Sequence, residues 1–333
     1  MSTIIALVLV ILLLITIAIS IRVSMILTQP KRTVAELTQE QRLKFPTMKD
    51  ITFRDSNNEL NLNGWFFPSD NSDKTIILAH GYGHNRLLFG DKTTYFIERA
   101  LDEGYNVLTF DFRASGTSEG ERTSLGYYEK YDLLGAIDFA KQKGANHVAL
   151  VGVSMGGATS ILAAAQNPGN IDAIVSDSSF HDLKSYIYSS LPVWSNLPTF
   201  PFTFFIMPIS TFMTGKDVND VSPEKYIRNI QANKVMLIHS KSDTTTSYKS
   251  SHKLHAATNS YSLLWVITKE NGPEHIEIIN EYPQEYTNRV LSFISQKISD
   301  SKSQRYLGAP PEKMSELLGP QRYVPEQEES KID

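Results

Sequence analysis

The stretch HVALVGVSMGGATSILAAA, residues 147–165, sets a run of apolar β-forming residues directly before an alanine-rich run, with a serine between glycines at the junction. The first run is typical of a buried strand and the second of a helix. Its centre, GVSMG, fits the pattern G-x-S-x-G, in which a serine stands on a sharp strand-to-helix turn. Composition alone produces that pattern in about one in ten chains of this length, so the strand-turn-helix context carries the argument.

The rest of the chain continues this alternation of strands and helices. Apolar strand candidates occur at residues 62–67, 75–80, 105–112, 147–153, 171–177, 234–240 and 261–268, and helical patterns lie between most of them. Strands that alternate with helices predict an α/β protein whose mostly parallel sheet is covered on both faces. The first two candidates follow each other without a helix, and we expect them to open the sheet as an antiparallel pair.

Residues 178–225 interrupt the alternation. They contain an apolar stretch that four prolines divide: Pro192, Pro198, Pro201 and Pro208. Prolines break helices, so this interval predicts a small cap inserted over the sheet edge and not a second membrane span. Four of its apolar side chains are candidates to line an acyl pocket, with simple packing of the cap as the alternative: Phe202, Phe204, Phe205 and Met207.

An uncharged apolar run occupies residues 4–21, eighteen residues that suffice to cross a bilayer as a helix. We predict a transmembrane anchor at residues 1–27, because the run is long for a signal peptide and no basic residue precedes it. A cleaved signal peptide and a buried core helix are the alternatives. Basic residues follow the run at Arg22, Lys31, Arg32, Arg42 and Lys44. By the positive-inside rule they place a single-pass protein's main domain in the cytoplasm, with the extracellular side as the alternative.

The remaining divisions are a linker at 28–50, a folded domain at 51–299 and a polar tail at 300–333 that we expect to be disordered. The chain of 333 residues has 41% hydrophobic residues, enough for a sizeable core, and a net charge of -4. That charge and the lack of nucleic-acid-binding motifs exclude nucleic acid as a partner. The absence of cysteine excludes disulfides and a thiol nucleophile. No metal or cofactor is expected, since histidines at metal-binding spacing are missing.

A serine hydroxyl is a weak nucleophile and needs a base, which a carboxylate must orient. Ser154 lies at the turn described above, Asp243 follows the strand candidate 234–240, and His275 lies between the last strand candidate and the last helix. The order Ser, Asp, His is that of the α/β-hydrolases. Asp177, at the end of another strand candidate, is the alternative acid.

Four motifs together carry a resemblance to a known family: HGYGHNR at 80–86, DFRASGTSEG at 111–120, GVSMGG at 152–157, and HSKSD at 239–243 with GPEHIEII at 272–279. Over residues 51–298 the chain resembles the α/β-hydrolases, and among them the bacterial membrane-anchored serine hydrolases of the serine-peptidase-like or cephalosporin-deacetylase-like group. The resemblance implies an eight-stranded, mostly parallel sheet. It also implies that the backbone amides of Tyr82 and Met155 form an oxyanion hole.

These residues predict a serine hydrolase that cleaves carboxylic esters, with short to medium acyl chains or lipid-like, through an acyl-enzyme. Ser154 would attack, His275 would move the proton and Asp243 would orient His275. A serine peptidase of the same fold is the nearest alternative, and a non-catalytic membrane-tethered binding protein is the other. Asp111 and Arg113 are expected to hold loops beneath the site. No candidate residue precedes Thr28, so we expect that segment to be dispensable for hydrolysis of small esters.

Overall fold

In the computed structural model, which describes residues 2–307, strands and helices alternate along most of the chain. The eight strands of this part of the chain are β1 (Lys49–Arg54), β2 (Asn61–Phe67), β3 (Lys74–Ala79), β4 (Asn106–Phe110), β5 (His147–Val153), β6 (Ala173–Asp177), β7 (Val235–Ser240) and β8 (Leu263–Ile267). Its eleven α-helices are α1 (Ser2–Thr28), α2 (Gln39–Lys44), α3 (Lys92–Asp102), α4 (Glu129–Gln142), α5 (Met155–Gln166), α6 (Leu183–Ser195), α7 (Thr199–Thr214), α8 (Pro223–Tyr226), α9 (Lys249–Ala257), α10 (Ile278–Glu281) and α11 (Pro283–Leu307).

The strands form one sheet in the order β1-β2-β4-β3-β5-β6-β7-β8. All pairs from β4 to β8 are parallel, whereas β2 is antiparallel to both β1 and β4. The predicted eight-stranded, mostly parallel sheet is therefore confirmed. The predicted opening pair is wrong, since β2 and β3 are not neighbours. The antiparallel partner of β2 is β1, which the sequence hides because only Phe53 of its six residues is buried.

The predicted linker at 28–50 also contains regular structure, namely helix α2 and the first residues of β1. Thr38 caps α2, because its hydroxyl accepts from the Gln41 amide while the Gln41 side chain accepts from the Thr38 amide. A short capped helix and an exposed edge strand carry little apolar periodicity, and this explains why the sequence suggested a linker.

Two apolar clusters cover the two faces of the sheet, as the α/β pattern predicts. One includes Leu133 of α4 and Ile161 of α5, and the other includes Phe96 of α3 and Ile294 of α11. With helices on both faces, ligands of such a sheet bind outside the carboxyl ends of its strands. The turn after β5 lies at that edge.

Glycines permit a very close approach of β5, α5 and β3 at this turn. A Cβ on Gly152 would lie 2.4 Å from the Gly156 carbonyl oxygen, and a Cβ on Gly156 would lie 2.1 Å from the Ala79 carbonyl oxygen. Ser154 between them adopts φ 52° and ψ −120°, a conformation that residues other than glycine rarely adopt. The predicted turn is thus present, and the glycines explain how the backbone can form it.

Helix α1 is long and apolar enough to be a membrane span or a signal sequence. Only 6% of its most apolar window is buried, which contradicts the buried core helix. Its last turns pack along α7, and the buried residues there are Ser20, Val23, Ser24, Leu27 and Thr28. Helices α6 and α7, which we call the cap, meet at a bend of 117° and so do not form one straight span.

The last helix runs to Leu307, eight residues past the predicted end of the domain at 299. Residues 300–307 contain no glycine or proline to stop a helix. The start of the predicted tail is therefore wrong by that length. The rest of it, 308–333, lies outside the described residues.

We expect Gly156→Ala to lower the free energy of unfolding by about 3 kcal/mol, because its methyl group would overlap the Ala79 carbonyl. Gly169→Ala is the matched control, since no atom lies within 4 Å of its would-be Cβ, and we expect a change within about 0.5 kcal/mol. Urea unfolding of the full chain in detergent measures both. Equal effects in the two variants would contradict the close approach described above.

Candidate active site

The structure brings the three residues of the expected Ser-His-Asp group into one hydrogen-bonded chain. His275 Nε2 lies 2.9 Å from Ser154 Oγ, and His275 Nδ1 lies 2.7 Å from Asp243 Oδ2. The residues follow β5, β8 and β7 at the carboxyl edge of the sheet. Because a carboxylate can only accept, Nδ1 carries the proton and Nε2 is free to accept from the serine hydroxyl. This arrangement can remove a proton from Ser154.

Asp243 is held as a carboxylate by several donors. Its Oδ1 accepts from the backbone amides of Thr245 and Thr246 at 2.9 and 2.7 Å. Burial alone would raise the pKa of Asp243, but hydrogen bonds from His239 and His275 outweigh it and lower that pKa. A charged, fixed carboxylate orients the imidazole and can stabilise its protonated form.

His239 is a member of this cluster that the sequence did not single out. It is fully buried, and its Nε2 donates to the Thr246 carbonyl at 2.8 Å while lying 3.2 Å from Asp243 Oδ2. Its other nitrogen, Nδ1, accepts from the Ser251 hydroxyl at 2.7 Å. The sequence did offer one indication of this role, namely the position of His239 four residues before Asp243. A histidine at the end of a strand, however, is ordinarily read as packing.

Asp177, the alternative acid, serves the turn in a different way. Its backbone carbonyl accepts from the Ser154 amide at 2.8 Å, and its Oδ1 accepts from the Ser178 hydroxyl at 2.9 Å. Burial raises the pKa of its carboxyl group to about 6. The carboxylate that meets His275 is therefore that of Asp243.

The loop after β3 lies against Ser154 because Gly81 has no side chain. A Cβ on Gly81 would lie 3.3 Å from the Ser154 Cβ. The expected oxyanion amides are on either side of this contact. Among residues 2–307, neither the Tyr82 N–H nor the Met155 N–H donates to a backbone carbonyl. Both amides are therefore available to an oxygen that forms beside Ser154.

His80 fixes the start of that loop. The Phe112 amide donates to its Nε2 at 3.0 Å, so the proton is on Nδ1, which donates to the Gly81 carbonyl at 2.7 Å. Complete burial lowers the pKa of His80 to about 4. This neutral imidazole ties the loop to the chain that follows β4.

Two buried ion pairs hold the neighbouring loops. Arg86 donates to Asp111 at 2.6 Å, and Arg113 donates to Asp132 at 2.6 Å. This confirms that Asp111 and Arg113 hold loops. The Arg86 pair joins two of the motifs that carried the family resemblance.

The expected acyl-pocket residues do not form one lining. Phe202 and Met207 are half-buried and pack against the core, as the alternative of simple cap packing expects, and Phe205 is half-buried against Phe204. Phe204 is 71% exposed. That exposure is not what an enclosed acyl pocket requires.

The segment around the end of α1 contacts the site, which the sequence did not reveal. The Tyr82 hydroxyl donates to the Ile26 carbonyl at 2.5 Å, and the Thr123 amide donates to the Thr28 carbonyl at 2.8 Å. Further along, Arg32 donates to the Ser118 carbonyl at 2.7 Å. The expectation that the segment before Thr28 is dispensable for hydrolysis of small esters stays a prediction. Long-range contacts to backbone carbonyls leave no pattern in a sequence.

A cleft of about 850 Å³ adjoins the site between residues 34–36, the loop at 84–92 and Ile276. Burial, together with the nearby His275, lowers the pKa of His84 at one side of the cleft. Ile276, the residue after His275, has φ 57°, which is unusual for a β-branched residue and marks a second strained position beside the site. Within residues 2–307, no group of three or more His, Asp and Glu side chains could hold a metal ion.

Comparison with known proteins assigns the chain to a family. The sequence model of the α/β hydrolase fold matches residues 74–206. Protein YqkD of Bacillus subtilis (strain 168) is 30% identical over 241 residues, which cover 70% of this chain and 75% of YqkD. The chain belongs to the α/β-hydrolase family.

Solved structures of other α/β-hydrolases are similar to this chain. The esterase Pf2001 of Pyrococcus furiosus is 28% identical, with a TM-score of 0.65 over 81% of this hydrolase and 98% of the esterase. The acylaminoacyl peptidase of Pyrococcus horikoshii is 20% identical, with a TM-score of 0.56 over 79% of this hydrolase and 44% of the peptidase. The second likeness concerns the fold alone.

The buried His80 predicts a pH dependence of stability. Its pKa falls from 6.5 in the unfolded chain to about 4 in the folded one, so between these values the unfolded state binds more protons and stability rises with pH. Asp177 acts in the opposite direction, and a matched variant is therefore needed. His80→Gln can keep both hydrogen bonds without titrating. We expect the stability advantage of the native chain over His80→Gln to grow by about 2–3 kcal/mol between pH 4.5 and 7 in urea unfolding. A constant difference would contradict the buried neutral imidazole.

Proposed function

We propose that this α/β-hydrolase is a membrane-anchored serine esterase that cleaves carboxylic esters through an acyl-enzyme on Ser154. The observation that carries the proposal is the hydrogen-bonded chain from Ser154 through His275 to Asp243 at the glycine-flanked turn. The likeness to an esterase over nearly that enzyme's whole length adds support.

Each group has a defined task in the proposed reaction. As Ser154 Oγ attacks the ester carbonyl carbon, His275 Nε2 takes the hydroxyl proton, and the carbonyl oxygen becomes an oxyanion. The Tyr82 and Met155 amides stabilise that oxyanion, each by about 3 kcal/mol in comparable sites. The alcohol then leaves with the proton from His275, and the acyl group stays on Ser154.

The second half repeats these steps with water. His275 takes a proton from the water that attacks the acyl carbon, and it returns the proton to Ser154 Oγ as the carboxylic acid leaves. Asp243 remains ionised throughout and stabilises the imidazolium that forms twice. Its lowered pKa suits this task, because the carboxylate stays charged at neutral pH.

An ester substrate is favoured over a peptide because the match spans 98% of the esterase but only 44% of the peptidase. The peptidase has more than half of its length outside the match, and its likeness is limited to the fold. The same site could attack an amide, so amides belong in the test. A non-catalytic binding protein would have no need for a histidine between Ser154 and a charged carboxylate.

The contacts of α1 support retention of this helix as a single-pass anchor. Only cleavage beyond Thr28 would remove the whole helix, and it would also remove the contacts of Ser24, Ile26 and Thr28 with α7, Tyr82 and Thr123. Basic residues then follow the run closely, Lys31 and Arg32 among them. By the positive-inside rule they favour a catalytic domain on the cytoplasmic side.

Ser154→Ala tests the proposed nucleophile. We expect kcat for p-nitrophenyl acetate to fall by about 10⁴-fold or more, since only the attacking oxygen is lost. Ser160→Ala is the matched control, because this buried serine on the same helix donates to the Gly156 carbonyl and lies outside the proposed chemistry. We expect that variant to keep kcat within about threefold.

The substrate panel should extend to p-nitrophenyl esters of longer acids and to p-nitroanilide amides. Faster turnover of amides than of esters would transfer the assignment to a peptidase. Native protein that turns over neither class, or Ser154→Ala that turns over esters at the native rate, would refute the proposal.

A pair of aspartate variants separates the two acids. Asp243→Asn should lower kcat by about 10³- to 10⁴-fold, because an amide cannot hold His275 in the required tautomer or stabilise its charge. Asp177→Asn should keep kcat within about threefold, since the Asp177 side chain accepts from the Ser178 hydroxyl, which an amide oxygen can also do, whereas His275 bonds to Asp243. The opposite ranking in steady-state kinetics would make Asp177 the acid.

A further inference from the structure

The cap exposes an unusual concentration of large apolar side chains. Among residues 2–307 outside α1, nine large apolar side chains are strongly exposed, and five of them lie in the cap: Tyr188, Val193, Phe200, Phe204 and Phe212. Phe200 and Phe212 are 80% and 88% exposed. Such clusters on a protein surface mark contact with another apolar phase or partner.

The amino-acid pattern of α7 excludes an ordinary water-facing helix. Phe204, Pro208 and Phe212 recur at every fourth residue and are all exposed, so they form one row along the helix, and the exposed Phe200 precedes this row at a kink with non-helical backbone angles. The 31 residues from 185 to 215 contain no charge and are flanked by Lys184 and Lys216. A helix in water normally carries charged residues on its exposed face.

The packing of α7 on α1 shows where this row lies. Ser24 Oγ donates to the Ile206 carbonyl at 3.2 Å, and the Thr28 hydroxyl lies 3.9 Å from the Met213 sulfur. The contacts follow the same order in both helices, so the Phe200 end of α7 lies toward the apolar half of α1. Thr16, in that half, is partly buried, whereas residues 2–15 are exposed. The exposed cap residues thus continue the apolar surface of the proposed anchor.

The site lies at the same level as this surface. Tyr82 reaches Ile26 of α1 with its hydroxyl. Tyr186 of the cap lies close enough to Tyr82 and Asp243 to interact with them electrostatically. Burial raises the pKa of Tyr186 to about 12. Both tyrosines therefore connect the proposed catalytic residues to the elements that carry the apolar surface.

We propose that the exposed cap residues are seated in the interfacial region of the lipid bilayer beside α1, and that the site takes esters with long acyl chains directly from the membrane. This inference rests on the proposed esterase function and specifies its substrate class as lipid esters. The bend of 117° between α6 and α7 suits a cap that dips into the bilayer surface without crossing it. A bilayer is favoured over a protein partner because the cap surface is continuous with that of α1.

Spin labels can measure the depth of the cap, because the full chain contains no cysteine and needs no other change. Phe212→Cys places the label on the cap, Leu12→Cys places it on the exposed part of α1, and Gln142→Cys places it before β5 at the opposite edge of the sheet. The full chain is reconstituted in vesicles of phosphatidylcholine and phosphatidylglycerol. Accessibility to oxygen and to a water-soluble nickel chelate is then compared by electron paramagnetic resonance.

We expect the label at 212 to show higher access to oxygen and lower access to nickel than that at 142, and to lie nearer the water than that at 12, as an interfacial position requires. Nickel access at 212 equal to that at 142 would overturn the proposal, because the cap would then face water. Low access to both reagents, with dipolar broadening between labels, would also overturn it, because a second copy of the chain would then cover the cap.

Turnover of embedded and dissolved esters tests the supply of substrate. We expect Phe200→Ser with Phe212→Ser to lower the rate on p-nitrophenyl palmitate in vesicles at least fivefold and to leave p-nitrophenyl acetate in water within twofold. The control pair Leu43→Ser with Tyr261→Ser removes exposed apolar groups elsewhere and should change neither rate. An equal loss of rate on both esters, or no loss of rate on the palmitate ester, would overturn the proposal that lipid esters reach the site through the cap. Native protein inactive on both esters would refute the esterase function, and the spin labels would still report whether the cap meets lipid.

Discussion

The close approach of β5 and α5 at Ser154 sets the position of the other groups in the candidate site. Gly156 leaves no space for a side chain against the Ala79 carbonyl, so the start of α5 lies directly on the end of β3. The backbone of Ser154 takes a conformation that is unfavourable for any residue with a side chain, and the packing of strand and helix on both sides maintains it. The serine hydroxyl and the Met155 amide thereby come to lie beside the loop that carries Tyr82.

Buried polar groups then fix the loops around this turn, and their environments divide the histidines by task. For His80, complete burial outweighs the nearby Asp111 carboxylate and lowers the pKa, so the ring ties two loops together in its neutral form. His275 is 17% exposed in its side chain and lies between a hydroxyl and a charged carboxylate, where it can exchange protons with a substrate. His239, behind Asp243, has its Nε2 3.2 Å from that carboxylate. The same side chain thus supports structure in one place and proposed chemistry in another.

The sequence predicted what depends on local pattern and chain order. The turn at Ser154, the mostly parallel sheet and the positions of Asp243 and His275 after their strands could all be read from apolar runs and glycines. It could not predict that β1 lies at the sheet edge, because one buried residue gives no alternation. Nor could it predict the contact of Tyr82 with Ile26, since the acceptor is a backbone carbonyl, which every residue carries. Phe204 has the apolar aromatic side chain that is typical of a pocket lining, and only the packing of α7 shows that it is exposed.

The most direct test of the account is chemical trapping of the proposed nucleophile. The full chain in detergent is treated with a fluorophosphonate, digested and analysed by mass spectrometry. We predict one phosphonyl group, carried by the peptide that contains Ser154, and much slower labelling when His275 is replaced by alanine. No adduct, an adduct on another residue, or labelling that is indifferent to His275 would contradict the claim that this strand-to-helix turn presents an activated serine.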